Sequence, residues 1–384
     1  MESKIVKIPT YKSGPFALSL NYDMPKIREK LIEARSIYSS IRAIPILPQL
    51  LTQLEEELIK RSIFGTAAIE GNPLSEKEVG KVLDEQKANK ELNQPERQIS
   101  NLRNAYNAIK AIVIDSSKRF MLDEKTIKKI HSIITTGVEE KNNDPGQYRN
   151  IEIKVGDAAH GGIYTPPKIL DDMKPLMKEF MSWINSDELL REDPAVRAAL
   201  AHYYLALIHP FGNGNGRTAR AIEALLLKDA RIKFFVCVML SNYYYKNIDD
   251  YFRAFSLAER NDTYDVTPFL EFFLNGLIFS FKEVRSKIFA WIRIQTLRDY
   301  HRLLLSKKDI PQRQYDLLAI LIDTNESFEL KELFEKDIFR MIYREVSERT
   351  ARRDVEELAD KKLIELNKDN RYQLSEHVLN QFSE

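Results

Sequence analysis

The most constraining feature of the chain is the stretch His209–Arg220, HPFGNGNGRTAR, which lies between two helical patterns. Pro210 ends the first helix, and the alternating Asn and Gly residues let the backbone turn sharply and approach a ligand closely. The next helix is predicted to begin near Arg217, where its N–H groups and positive dipole end form an anion site. Arg217 and Arg220 are three residues apart and share one helix face. The pattern therefore predicts a polyphosphate site beside this turn.

His209 stands at the entrance of the turn. An imidazole titrates near neutral pH, so His209 can accept a proton from an incoming hydroxyl group. A base, a turn of backbone amides and two arginines are the parts that phosphoryl-type transfer needs, because that chemistry depends on positioning and charge neutralisation. The alternative is a glycine-rich loop with a capping histidine, since Asn-Gly pairs are common in turns. The combination of features favours a site.

This stretch resembles the signature of the Fic family, H-P-F-x-[D/E]-G-N-G-R-x-x-R. The resemblance implies that His209 is the general base, that Phe211 anchors the turn in the core, and that Arg217 and Arg220 hold the outer phosphates of ATP. It also implies an activity, the transfer of AMP from ATP to a Ser, Thr or Tyr hydroxyl of a target protein. The other nucleotide-binding positions implied in the turn are Gly212, Asn213, Gly214, Asn215 and Gly216.

One position departs from this signature. Asn213 stands where the family has an acidic residue that coordinates Mg²⁺. Its carbonyl oxygen makes Asn213 a candidate ligand for Mg²⁺ or Mn²⁺, but Mg²⁺ is usually held by one or two carboxylates plus substrate phosphates. We therefore expect weak metal binding. The departure leaves an alternative function open, a DNA-binding regulator whose Fic core senses nucleotide and is weakly active or inactive.

A second motif precedes the turn. Residues Thr66–Asn72, TAAIEGN, resemble the inhibitory motif of the family, [S/T]-x-x-x-E-[G/N]. Thr66 and Glu70 are four residues apart and share a helix face, and Glu70 falls in the last helical turn, where the dipole disfavours an anion. The resemblance implies that Glu70 pairs with Arg220 and keeps it from the γ-phosphate. The alternative is a solvated glutamate before a glycine cap.

Residues 142–167 are rich in Gly, Pro and Asn, and apolar residues alternate with polar ones from Ile151 to Val155. This pattern predicts a short β-hairpin or flap. The segment resembles the target-docking flap of the family, which implies that Ile163 and Tyr164 help to dock the target. Such a flap can add a strand of the target protein to its own edge.

The aromatic residues after the second helix include a candidate adenine contact. The resemblance implies Tyr251 for this role, whereas core packing is the alternative for such aromatics. Glu259 stands about where relatives often carry an adenine-contacting asparagine. We expect His160 to be a surface residue of the flap and His202 to be structural.

From about Gln314 the pattern changes to three short helices followed by a hairpin, which is typical of a winged-helix domain. Residues Val346–Leu358 resemble a DNA-recognition helix, with Arg349, Arg352 and Arg353 as candidate DNA contacts. Residues 300–384 nevertheless contain 15 Lys and Arg against 18 Asp and Glu, a net charge of −3, whereas DNA-binding modules usually show a basic footprint. The alternative is a protein-interaction or dimerisation module, and in the second case the protein would be a homodimer.

Composition indicates a multidomain globular protein with large cores, since 43% of the 384 residues are hydrophobic and the net charge is only +1. The single Cys237 excludes an intrachain disulfide. No signal region or bilayer-spanning apolar run occurs, so we expect a cytoplasmic protein without membrane contact. The predicted fold is mainly α: an N-terminal arm and helix (1–50), a Fic-type helical core with a short β-hairpin flap (51–290) and an inhibitory helix at about 52–71, a linker (291–313) and a C-terminal winged-helix domain (314–384).

Overall fold

The chain divides into two compact units, Met1–Val284 and Arg285–Glu384. The described residues are mostly helical and contain only short strands, which confirms the predicted mainly α class. The ends of the predicted arm and winged-helix domain, residues 1–4 and 380–384, lie outside the described residues. The structure is a computed structural model that describes residues 5–85, 92–115, 117–138, 142–160, 162–259 and 263–379.

The first unit begins with a β-hairpin where the sequence predicted only an extended arm. β1 (Ile5–Ile8) pairs antiparallel with β2 (Phe16–Ser19). Ile8 and Leu18 are buried, so the pairing covers apolar side chains as well as satisfying backbone groups.

Helices form most of the rest of the first unit. Short polar side chains and prolines mark several starts; Asp193, for example, accepts the N–H of Ala195 at 2.8 Å, and Pro194 occupies the first helical turn that follows. The helices are α1 (Met24–Ala43), α2 (Pro48–Ile69), α3 (Glu76–Glu85), α4 (Gln94–Ala111), α5 (Glu124–Thr135), α6 (Leu170–Ile184), α7 (Asp187–Arg191), α8 (Pro194–Ile208), α9 (Asn215–Leu227), α10 (Phe234–Cys237), α11 (Leu240–Lys246), α12 (Ile248–Glu259) and α13 (Thr267–Ser306).

The α8 and α9 helices form the centre of this unit. Both are buried around most of their circumference, as expected of helices surrounded by protein rather than by water. They pack against each other, and α5, α4 and α2 pack against α9. The turn between them, residues 209–214, is therefore built on a rigid base.

The predicted flap lies between α5 and α6. Among its described residues, 142–160 and 162–167, the pairing is one antiparallel bridge, in which Val155 and Tyr164 exchange backbone hydrogen bonds of 2.9 and 2.8 Å. The predicted alternation from Ile151 onward does not form a longer strand. Ile151 is exposed, so no buried face stabilises further pairing.

The α13 helix corrects the predicted linker at 291–313. The helix continues to Ser306 and passes both the predicted end of the core at 290 and the boundary between the units. No Gly or Pro occurs between Gly276 and Pro311, so nothing in the sequence stops the helix. No helix in the described part of the chain is apolar enough over a sufficient length to cross a membrane.

The second unit has its own core, and its elements follow the predicted order of helices and then a hairpin. Phe328 makes a further bridge to Tyr372 in the hairpin. The elements of the second unit after α13 are α14 (Gln312–Thr324), α15 (Glu332–Glu335), α16 (Asp337–Tyr343), α17 (Glu348–Asp360) and the antiparallel strands β3 (Ile364–Leu366) and β4 (Tyr372–Leu374). The buried core includes Leu317, Leu321, Phe328, Phe339, Tyr343, Val355, Leu358 and Ile364.

Candidate active site

The turn between α8 and α9 contains two left-handed residues. His209 follows α8 with φ of 51°, and Gly214 precedes α9 with φ of 72°; such values are uncommon for residues other than glycine. A Cβ at Gly214 would lie 2.7 Å from Cγ2 of Thr135, and one at Gly212 would lie 1.9 Å from the carbonyl oxygen of Asn142. The glycines therefore let the turn press against α5 and the start of the flap segment.

Asn215 fixes the shape of the turn. Its Oδ1 accepts the backbone N–H of Phe211 at 2.9 Å, and its Nδ2 donates to the carbonyl oxygen of Phe211 at 2.8 Å. The Phe211 side chain is fully buried, as predicted for the anchor of the turn. Both ends of its buried amide are thus used within the turn, and the nucleotide contact implied for Asn215 stays a prediction. Its backbone N–H still lies in the first turn of α9.

His131 is a site residue that sequence reasoning missed. Its ring stacks on Phe211, with centroids 3.7 Å apart and planes at 8°. Its Nδ1 accepts the N–H of Gly146 at 2.9 Å, so Nε2 carries the hydrogen and donates to the carbonyl oxygen of Asn213 at 2.8 Å. Burial lowers the pKa of His131 to about 4. The sequence signal is its place on the buried face of α5, which indicates burial without revealing partners.

Arg149 joins the turn to the flap segment. Its buried guanidinium donates to the carbonyl oxygens of His209 at 2.8 Å, Pro167 at 2.6 Å and Ile151 at 2.5 Å. Its backbone N–H donates to the carbonyl oxygen of Pro210 at 3.0 Å. Sequence reasoning placed Arg149 in the docking flap, whereas its side chain braces the turn as well.

His209 is oriented for proton acceptance. Its Nδ1 lies 3.1 Å from the carbonyl oxygen of Ala206 and donates to it, which leaves the lone pair on Nε2. Burial lowers the pKa of His209 to about 4, so the ring is neutral at pH 7. A neutral imidazole with an available lone pair fits the predicted role of general base.

The Asn213 side chain faces protein donors. Its Oδ1 accepts the N–H of Gly214 at 2.5 Å and an N–H of Arg217 at 2.6 Å. A guanidinium on this oxygen repels a metal ion and uses the lone pair that a metal would need. Among the described residues, no group of three or more His, Cys, Asp or Glu side chains could hold a metal. The donor set therefore does not fit the predicted Mg²⁺ or Mn²⁺ at Asn213.

Arg220 meets the two residues of the predicted inhibitory motif. Its Nε donates to Oγ1 of Thr66 at 2.8 Å, and its Nη2 donates to the Thr66 carbonyl oxygen at 3.1 Å. The same Nη2 donates to Oε1 of Glu70 at 2.8 Å. The structure thus brings Thr66, Glu70 and Arg220 together as the motif implied.

Gly216 provides the space that the Glu70 carboxylate occupies. A Cβ at Gly216 would lie 2.3 Å from Oε1 of Glu70. The carboxylate therefore lies over the first turn of α9, where the N–H groups and the helix dipole favour an anion. Partial burial alone would raise the pKa of Glu70, but Arg220 and Arg217 hold it below its usual range. A charged carboxylate thus takes up one end of the predicted anion site.

A cavity of about 230 Å³ opens beside these groups. Tyr251, the predicted adenine contact, lines it, although the residue is only 3% exposed and its ring stacks on Tyr244 at 4.8 Å. Glu259 also lines the cavity. The residues that line it around the turn are Glu70, His209, Gly216 and Arg220, and those from α12 and the flap include Phe252, Phe255, Val155 and Tyr164.

The two predicted docking residues of the flap differ in position. Tyr164 lines the cavity and donates its hydroxyl to the carbonyl oxygen of Leu207 at 3.1 Å. Ile163 is 62% exposed. Tyr164 therefore forms part of the cavity wall, while Ile163 is available to another molecule.

His160 connects the flap to α12, a role that sequence reasoning did not assign. One ring nitrogen lies 2.8 Å from Asp157, and the other lies 3.0 Å from Asp249. Hydrogen bonds to Asp249 and Asp157 raise the pKa of His160. Its carbonyl oxygen also accepts the hydroxyl of Ser256 at 2.5 Å.

The sequence profile of the Fic/DOC family matches residues 121–227, from the segment before α5 to the end of α9. This segment contains the turn, the bracing residues His131 and Arg149, and the anion site. This part of the chain, 121–227, is therefore similar to the Fic/DOC family.

Relatives with curated names share part of the chain. It is 30% identical over 204 residues to protein adenylyltransferase Fic of Culex quinquefasciatus, covering 53% of this chain and 38% of that protein. It is 32% identical over 174 residues to protein adenylyltransferase fic-1 of Caenorhabditis elegans, covering 43% and 31%. The chain thus spans less than half the length of these relatives.

Solved structures share the fold. A Fic family protein from Desulfovibrio desulfuricans G20 matches with a TM-score of 0.58 at 21% identity, covering 92% of this chain and 97% of that chain. Fic-1 (residues 134–508) from C. elegans matches with a TM-score of 0.54 at 19% identity, covering 69% and 74%. At these identities the likeness concerns the fold alone.

Proposed function

We propose that the protein is an adenylyltransferase that moves AMP from ATP to a Ser, Thr or Tyr hydroxyl of a target protein. The observation that carries the proposal is one cavity lined by both His209, with an available lone pair on Nε2, and Arg220 beside the first turn of α9. The names of the curated relatives support the same activity.

The chemistry follows from this arrangement. The target hydroxyl oxygen forms a bond to the α-phosphorus of ATP, while the bond from that phosphorus to the bridging oxygen of pyrophosphate breaks. The hydroxyl proton passes to Nε2 of His209, and pyrophosphate leaves. The amides of the first turn of α9, with Arg217 and Arg220, offset the negative charge on the phosphates.

The structure corresponds, in this proposal, to an inhibited state. Glu70 occupies the end of the anion site and accepts from Nη2 of Arg220 at 2.8 Å. It therefore competes with the γ-phosphate of ATP for both space and charge. When Glu70 leaves, an N–H of Nη2 becomes available to donate to the phosphate, while Oγ1 of Thr66 still accepts from Nε of the same guanidinium.

We assign no step to a divalent metal. The predicted Mg²⁺ or Mn²⁺ and the Arg217 guanidinium are alternative partners for one oxygen of Asn213. Phosphate neutralisation in the proposed reaction is therefore carried by the arginines and the helix N-terminus.

The second unit is proposed to be a winged-helix module, on the basis of its helices followed by the β3–β4 hairpin. The exposed arginines of α17 lie close to acids: Arg352 is 4.0 Å from Glu348, and Arg353 is 3.6 Å from Glu357. This charge compensation favours a protein partner or a second copy of the chain over DNA.

The labelling of proteins with ATP that carries a label on the α-phosphate tests the main proposal. We expect wild type to label weakly, Glu70→Gly to label itself or lysate proteins strongly, and the double variant Glu70→Gly/His209→Ala to lose about 100-fold or more of that rate. If Glu70→Gly binds ATP but transfers no label, the proposed activity is wrong.

A further inference from the structure

A chain of buried polar side chains lies behind Arg220, and the proposed reaction does not use it directly. Oε2 of Glu223 lies 2.5 Å from Nδ1 of His202, and Nε2 of His202 lies 2.9 Å from the Tyr251 hydroxyl. That hydroxyl lies 3.4 Å from Nη1 of Arg220. The hydroxyl of Tyr244 also donates to Oε2 of Glu223, at 2.8 Å. Each of these side chains is at most 3% exposed.

The donor and acceptor order of this chain follows from its two ends. The Glu223 carboxylate only accepts, so Nδ1 of His202 donates to it. The Tyr251 hydroxyl can then donate to Nε2 and offer its oxygen to Arg220. A guanidinium only donates, so in this order each of the three contacts pairs one donor with one acceptor.

Because these side chains are buried, an unmade hydrogen bond among them would cost free energy. Polar groups that are removed from water cost free energy unless their hydrogen bonds are made, and connected bonds polarise one another. Nη1 of Arg220 consequently has an acceptor in Tyr251, while Nε and Nη2 have acceptors in Thr66. The guanidinium is therefore held on two edges that do not involve Glu70.

We propose that Glu223, His202 and Tyr251 are positioning residues that keep Arg220 directed at the outer phosphates once Glu70 has left. This relay, Glu223–His202–Tyr251, determines how strongly the site prefers a triphosphate over a monophosphate. The inference rests on the proposed function. It gives the Tyr251 hydroxyl a role that is separate from any contact of its ring with adenine.

Two matched substitutions in a Glu70→Gly parent test the relay. Tyr251→Phe removes the hydroxyl between His202 and Arg220 and leaves the ring, whereas Tyr244→Phe removes a hydroxyl that contacts Glu223 outside the relay. The Kd values of ATP and AMP are measured by calorimetry for the parent and both variants. We expect Tyr251→Phe to lower the preference for ATP over AMP about fivefold with AMP affinity unchanged, and Tyr244→Phe to change the preference by less than about twofold.

The outcomes separate this inference from the proposed function. Equal losses of ATP and AMP affinity in Tyr251→Phe, an unchanged preference, or the same effect from Tyr244→Phe would overturn the relay. A parent that binds ATP no better than AMP would also overturn it, whatever its transfer activity. Absence of label transfer in a parent that prefers ATP contradicts the proposed function alone.

Discussion

The turn side and the flap side of the cavity are held in different ways. On the turn side, Phe211 is buried under His131 and pinned by Asn215, and Arg220 is bound by protein acceptors on three nitrogens. On the flap side, the bridge between Val155 and Tyr164 has two backbone hydrogen bonds, and Ile163 is exposed.

This difference indicates which side of the cavity holds its donors and acceptors in fixed positions. Phosphate chemistry depends on donors fixed in advance of the reaction, and in the proposed function the turn side would supply them from buried networks. Strand addition by a target uses main-chain groups and tolerates varied side chains, so the proposed docking at the flap would not require it to be rigidly held. We therefore expect large effects from changes in the turn and small, target-dependent effects from changes in the flap.

The largest effect is expected at Arg149, which joins the turn to the flap segment. Arg149→Ala removes the donor that the carbonyl oxygens of His209, Pro167 and Ile151 share, and we expect it to lower the free energy of unfolding of the first unit by about 2–4 kcal/mol. Urea denaturation measures this loss. Arg253→Ala, which removes an exposed pair with Asp250, should cost about 0–1 kcal/mol. Equal costs for the two variants would contradict the bracing role.

A second prediction concerns the pH dependence of transfer. In the proposed reaction His209 is a base in its neutral form, so activity should be present above its pKa and lost as the pH falls through that value. Because burial lowers this pKa to about 4, the kcat/KM of the Glu70→Gly variant should stay level from about pH 8 to about pH 5.5, through the ordinary histidine pKa of about 6.5.

Circular dichroism is recorded at each pH beside kcat/KM, to show whether the protein is still folded. This control is needed because burial also lowers the pKa of His131 to about 4. His131 binds a proton more weakly in the folded protein than in the unfolded chain. Its contribution to the free energy of unfolding is therefore fully present above about pH 6.5 and is lost as the pH falls toward about 4. Half-loss of activity near pH 6.5 in folded protein would show that His209 is not buried as described.

The smallest effect is expected in the flap. Ile163→Ala in the Glu70→Gly variant should lower the labelling of lysate proteins about fivefold, the contribution of roughly one buried aliphatic contact, with ATP affinity unchanged. Ile32→Ala, at another exposed position, is the matched control and should not change labelling. A loss of ATP affinity in Ile163→Ala would break the distinction between the two sides.

The sequence indicated those features of the candidate site that depend on residues close together in the chain. The glycines and arginines of the turn indicated the anion site, and the spacing of Thr66 and Glu70 placed both on the face that meets Arg220. That meeting, across 150 residues, came from the family resemblance rather than from the pattern itself.

The missed features depend on long-range packing. His131 and Asn213 are 82 residues apart, and a histidine on a buried helix face does not reveal which carbonyl it meets. The family resemblance implied a nucleotide contact for Asn215, and it did not reveal that the side chain closes the turn on Phe211. The linker was predicted from a change in pattern, although the absence of Gly and Pro before Pro311 already favoured a continuous helix.

Calorimetric Kd values for wild type and Glu70→Gly test most directly whether Glu70 withholds Arg220 from the outer phosphates of ATP. We predict that Glu70→Gly binds ATP about tenfold more tightly than wild type, the contribution of one recovered charge-assisted hydrogen bond, with AMP affinity unchanged. Unchanged ATP affinity, or an equal gain for AMP, would contradict the account.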